Sequence, residues 1–148
     1  IDPHFIRLRS LRVPQRIPLY QNLIDGTFTP QTDDMLAEET RLFIETLDGI
    51  HSTITSDHIM NLLEEVSGSM PKDKNTMLDV IAKYQMLSDQ DRLIYRAGRR
   101  GGAYHSTDDL QNDSATYHKI KNLVADIRMK DGKEGVDAFI SGLADRYI

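Results

Sequence analysis

The chain predicts an α+β fold that is mostly helical: a short parallel βαβ unit, then a bundle of about five helices. Three observations predict it. Two short runs rich in apolar and β-branched residues, "HFIRLRSLRV" and "IHSTIT", have the length and composition of strands. They are separated by a connection of some forty residues holding a strongly amphipathic segment, too long for a hairpin and suited to a right-handed parallel crossover. Beyond residue 57 the apolar residues recur at helical spacing to the end.

In the first run Ile6 and Leu8 fall on one face of a strand and Arg7 and Arg9 on the other. Two guanidiniums on one side suit a strand that lines an anion site. A strand with one solvated face gives the same alternation. Residues 14–31 hold three of the five prolines, and Leu19, Tyr20, Leu23 and Ile24 space out a short helix ended by Gly26. Thr32 is placed to cap a helix whose stripe is Leu36, Thr40, Phe43, Ile44 and Leu47. Asp33 and Asp34 complement the dipole of its first turn, and Gly49 stops it.

After the second strand, Ile59, Leu62, Leu63 and Val66 predict a helix ended by Gly68. Pro71 opens the next at a tolerated first-turn position, with Met77, Leu78, Ile81 and Ala82 inward. Ser88 with Asp91 reads as a capping box for a helix that Gly101 and Gly102 end. Ser106 caps a brief turn. Ser114 starts a long helix striped by Tyr117, Ile120, Val124 and Ile127, and Gly132 breaks it. Val136, Phe139, Ile140, Leu143 and Tyr147 mark the last helix. The organisation expected is a βαβ segment over residues 1–57 and a helical extension over residues 58–148.

Composition narrows the function classes. At 148 residues, 39% apolar and 28% charged, the chain is long enough to bury a core. A net charge of -5 weighs against nucleic acid as the main partner. The absence of Cys excludes a disulfide scaffold and leaves no thiolate for zinc, an iron–sulfur cluster or nucleophilic catalysis; it points to a reducing, cytoplasmic setting. No apolar run reaches the roughly 20 residues that a membrane helix needs. Two strands are too few to stand alone, and the chain reads as a strand almost from Ile1. It is therefore expected to be a piece of a longer protein, whose open strand edge would let the isolated piece self-pair into a homodimer.

Two constellations carry chemistry. In parallel α/β arrangements ligands gather at the carboxyl ends of strands, and "HSTIT" ends on Ser56, Asp57 and His58. Ser56 or Asp57 also suits a helix cap. His58 and Asn61, three apart and off the apolar stripe, are candidates to look into a cleft, with Glu65 a turn further on. Neither a catalytic triad nor a metal-ligand spacing is present, so no catalytic residue and no metal ligand is assigned. The second set is Arg92, Arg96, Arg99 and Arg100, on one helix face. It offers an interaction module for an acidic protein or nucleic acid, or else a solvated helix end whose cations complement the dipole.

The ordered landmarks "IRLR" (residues 6–9), "PLY" (18–20), an acidic helix ending in Asp48-Gly49, "TSDH" (55–58), "NLLEEVSGSMPKDK" (61–74) and "YRAGRRGGAYHSTDDL" (95–110) carry a resemblance. Over residues 4–110 the chain resembles the C-terminal half of radical SAM proteins, in the group related to the radical SAM domain of the elongator catalytic subunit. The resemblance implies that residues 1–57 are the last strands of a partial α/β barrel. The N-terminal part of that barrel, in the same parent chain, would carry a three-cysteine motif, a [4Fe–4S] cluster and S-adenosylmethionine. Arg7 and Arg9 become candidates for the carboxylate of S-adenosylmethionine or for an anionic substrate, and Ser56, Asp57, His58 and Asn61 for the substrate mouth. With no Cys this chain holds no cluster, and its implied role is to close the barrel and shape the cleft.

Overall fold

A computed structural model describes residues 1–147. The chain is α+β and mostly helical, in the order β1 (Phe5–Arg7), α1 (Leu19–Ile24), α2 (Asp33–Thr46), β2 (Thr53–Thr55), β3 (Gly68–Ser69), α3 (Lys74–Gln85), α4 (Asp89–Arg100), α5 (Asp109–Asn112) and α6 (Ser114–Ala144), closed by a 3-10 turn over Asp145–Tyr147. β1 and β2 pair in parallel with Ile6 opposite Ile54, the βαβ arrangement expected. Thr53 N donates to His4 O and Leu8 N to Thr55 O, both at 2.9 Å, so the ladder runs one residue past each end of β1.

The sheet has a third strand that periodicity does not reveal. β3 pairs antiparallel with β2, which makes β2 central and β1 an edge. Gly68 therefore belongs to a strand and not to a helix end. The helix expected over Ile59–Val66 is absent, and residues 56–67 run as bends and turns. The reason lies in where the backbone carbonyls go. Arg99 Nε donates to Asn61 O (3.2 Å), Arg99 Nη2 to His58 O (3.4 Å), Arg100 Nη1 to Met60 O and Tyr95 hydroxyl to Leu62 O (3.1 Å). Side chains of α4 accept the role that i+4 amides play in a helix. Leu62, Leu63 and Val66 are still buried, so the apolar spacing reports burial and not helicity.

α2 is capped as expected, with Thr32 Oγ1 accepting from Met35 N at 3.2 Å. Its buried residues are Ala37 and Ile44, and Phe43 of the expected stripe is 36% exposed. α3 begins at Lys74, so Pro71, joined to Met70 by a cis bond, lies in the turn before the helix. Tyr84, not Ala82, completes the α3 face with Met77 and Ile81. Ser88 Oγ accepts from Asp91 N and donates to Asp91 Oδ2, which closes the capping arrangement of α4. At α6 the cap is Asp113, one residue before the expected Ser114, its carboxylate accepting from Thr116 N at 3.0 Å. Gly132 breaks α6 with φ 71° and ψ -163°. The side chain of Tyr147, last in the expected stripe, lies outside the described residues.

One core joins α2, β2, α3 and α4 around Ile44, Ile54, Met77, Ile81 and Tyr95, and so runs across residue 57. A second cluster, Ala97, Val124, Val136 and Ile140, fastens α6 to α4. Gly98 permits the close turn after α4: a Cβ there would lie 2.2 Å from the Tyr104 ring. Among the described residues no helix is long and apolar enough to cross a membrane.

Candidate functional site

The parallel pair brings the expected residues to one place, the carboxyl ends of β1 and β2. Arg7 donates to Asp57 from Nε to Oδ1 (3.0 Å) and from Nη2 to Oδ2 (2.5 Å). The pair is solvent-exposed, and these hydrogen bonds hold the Asp57 carboxyl below its ordinary pKa. Asn61 is buried and works as a strut. Its Nδ2 donates to Leu8 O (2.9 Å), and its Oδ1 accepts from Ser10 N (2.9 Å) and Ser10 Oγ (3.2 Å), which pins the chain leaving β1 to the chain leaving β2.

His58 is half-buried, and its Nδ1 accepts from Met60 N at 3.2 Å, so the neutral ring carries its proton on Nε2. Burial first, then the charges of Arg9 and Arg7, push its pKa below the ordinary histidine value, against a smaller opposing pull from Asp57. The shift favours the neutral imidazole. Ser56 is buried, and its amide donates to Ser67 Oγ at 3.2 Å. No helix follows the triplet, so Ser56 and Asp57 cap none.

Between α2 and the chain leaving β1 and β2 lies a cavity of about 250 Å³, lined among others by Arg9, Ser10, Glu39, Ser56 and Asn61, whereas Arg7, Asp57 and His58 do not line it. Arg9 and Glu39 are opposite charges, and among the described residues neither has an ion-pair partner within 4.0 Å. Ser10, Leu36 and Glu39 also line a larger cavity of about 860 Å³, walled by the 10–31 segment and the end of α6. Arg12 helps to frame that cavity by donating to Ser141 O at 3.0 Å and pairing with Asp145. Glu39 and Ser10 were not singled out from the sequence. The signal for Glu39 was its spacing from Leu36 and Phe43, three and four residues away on one side of α2.

Arg7, the last residue of β1, and Arg9, two residues beyond it, thus differ: Arg7 is committed to Asp57, whereas Arg9 has no carboxylate partner among the described residues. The four arginines of α4 do not form one open face. Arg99 and Arg100 are 0% and 6% exposed and hold the carbonyls of His58, Met60 and Asn61, with Glu64 3.1 Å from Arg99 Nη1 and Asp33 2.5 Å from Arg100 Nη2. The guanidiniums were expected on one accessible face, either engaging an acidic partner or at a solvated helix end. The signal against it is Ala97-Gly98, which lets other chain segments close over the last turn of α4.

Among the described residues no three His, Asp or Glu side chains assemble as a metal-binding group. Comparison with protein families, with curated proteins and with solved structures finds no match for this chain.

Proposed function

We propose that this chain is the C-terminal, cluster-free part of a radical SAM enzyme, in which β1 and β2 are the closing strands of the barrel and the cavity at their carboxyl ends takes the amino-acid end of S-adenosylmethionine. One observation carries the reading: a parallel strand pair with an open edge ends on a cavity lined by a cation, Arg9, and an anion, Glu39, neither of which has an ion-pair partner among the described residues. An α-amino acid presents a carboxylate and an ammonium on one carbon, and a guanidinium with a carboxylate is the complementary pair.

Further support comes from the surface. Phe5 on the edge strand is 71% exposed, and Met35 and Leu42 stand out from α2. An edge strand and an apolar helix face are what a preceding βα unit of a barrel would cover. The natural partner is then the N-terminal barrel of the parent chain, in the reducing cytoplasm. The residues present do not fit a [4Fe–4S] cluster, because there is no thiolate among them. They fit the amino-acid end of S-adenosylmethionine, which supplies radical chemistry when bound next to such a cluster. Arg9 would hold the carboxylate, Glu39 the ammonium, and the Ser56 hydroxyl a remaining acceptor.

The test uses the native parent polypeptide. Arg9→Gln and Glu39→Gln should each weaken S-adenosylmethionine binding about tenfold, while Arg7→Gln changes it less. Equal affinity in the wild type and both cavity variants would remove the assignment.

A further inference from the structure

The two halves of α6 and the outer side of α4 enclose a separate cavity of about 600 Å³, far from the strand ends in sequence and in lining. Its size is that of a small-molecule site. Its floor is apolar, from Leu93, Val124 and Val136, and its rim is cationic. Arg92 and Arg96 reach it from α4, one turn apart. Lys121 and Arg128 reach it from the first half of α6, two turns apart, and Lys133 from just past the break. Gly132 makes this possible, because its φ of 71° redirects the chain so that both halves of α6 wall the same space.

The charges do not cancel internally. Arg92 is engaged with Asp89 at 2.5 Å and lies 3.9 Å from Asp34. Arg96, Lys121, Arg128 and Lys133 have no carboxylate within 4.0 Å among the described residues. The lining as a whole carries five cations against three acids, Asp34, Asp89 and Asp137, a surplus of two positive charges. This concentration of positive charge stands on a chain whose net charge is -5.

From this geometry we infer that the α4–α6 cavity is a binding site for a small organic phosphate, its phosphate oxygens on Arg96, Lys121, Arg128 and Lys133 and its less polar body on Leu93 and Val124. Guanidinium and ammonium groups together suit phosphate oxygens, and an apolar floor suits the group that carries them. The site is independent of the barrel reading and survives its failure.

Titration calorimetry on the 148-residue chain with ATP, without divalent cations, tests it. One-to-one saturation is expected, with inorganic triphosphate binding more weakly. Arg96→Gln should weaken ATP binding about tenfold, and so should the exposed pair Arg128→Gln with Lys133→Gln, which leaves the core untouched. Lys72→Gln, remote from the cavity, should have no effect. The inference falls if ATP fails to saturate, if triphosphate binds as tightly as ATP, or if affinity survives the exposed double substitution. It also falls if Lys72→Gln weakens ATP binding equally, or if those cavity substitutions abolish binding of a short single-stranded RNA while ATP is ignored.

Discussion

Arg7 and Asp57 face each other across the carboxyl ends of the parallel strands, joined by two side-by-side hydrogen bonds of 3.0 and 2.5 Å. The ion pair is open to solvent and is worth little as a brace. Its geometric effect is larger, since it fixes the direction in which the chain leaves β2 and so the positions of His58 and Asn61. In the proposed radical SAM parent, Asp57→Ala and His58→Ala should each lower turnover roughly 10–100-fold through lost positioning, with cluster content unchanged. Steady-state rates with iron analysis check this, and wild-type rates in both variants would remove these residues from the site.

Glu38 supplies a pH test of the helical layer. Hydrogen bonds from Arg41 and Gln85 bring its pKa down from 4.5 to about 2. A carboxyl depressed in the folded state adds stability that is complete above its unfolded pKa and disappears as pH falls through the folded value. The melting-temperature difference between wild type and Glu38→Gln should therefore be constant above about pH 5 and shrink between pH 4.5 and 2. A difference independent of pH over that window would mean that the pairing does not contribute.

Arg99 is the post around which residues 58–62 are wrapped. Arg99→Met removes the donors to Asn61 O and His58 O and leaves Glu64 with only His105 beside it. A loss of about 3 kcal/mol is expected, because buried acceptors are left unmet. Arg99→Lys should recover less than half, since one ammonium does not reproduce the planar fork. Urea unfolding measures both. A neutral Arg99→Met would show that the turn holds itself.

These arginines also mark the limit of what was legible in the sequence. Helix α1, the Thr32 and Ser88 caps and the Gly132 break follow from local rules, because each depends on residues within a few positions of one another, and the parallel pair follows from the length of the connection between its strands. Residues 58–67 were misread because their apolar spacing is helical while their carbonyls are bound by Arg99, Arg100 and Tyr95 some forty positions away. β3 was hidden for a related reason: a two-residue strand exists only through its partner, β2. At the site the strand ends placed Arg9, Ser56 and Asn61 together, whereas Glu39 enters from α2, and only the packing of that helix shows it.

Gly98 is held to its size by Tyr104. A Cβ at that position would sit 2.2 Å from Cδ2 and 2.5 Å from Cε2 of the buried ring. Gly98→Ala should destabilise the chain by about 1–3 kcal/mol, although alanine is the better helix former. Thermal unfolding checks the sign, and a stabilised variant would mean that Tyr104 moves aside freely.

The central claim, that these strands close the barrel of a radical SAM enzyme, is tested most directly by anaerobic isolation of the native polypeptide, with its mass and its iron content measured together. The account predicts a chain heavier than 16.9 kDa that carries about four irons with matching sulfide. A native polypeptide of 16.9 kDa without iron would contradict it.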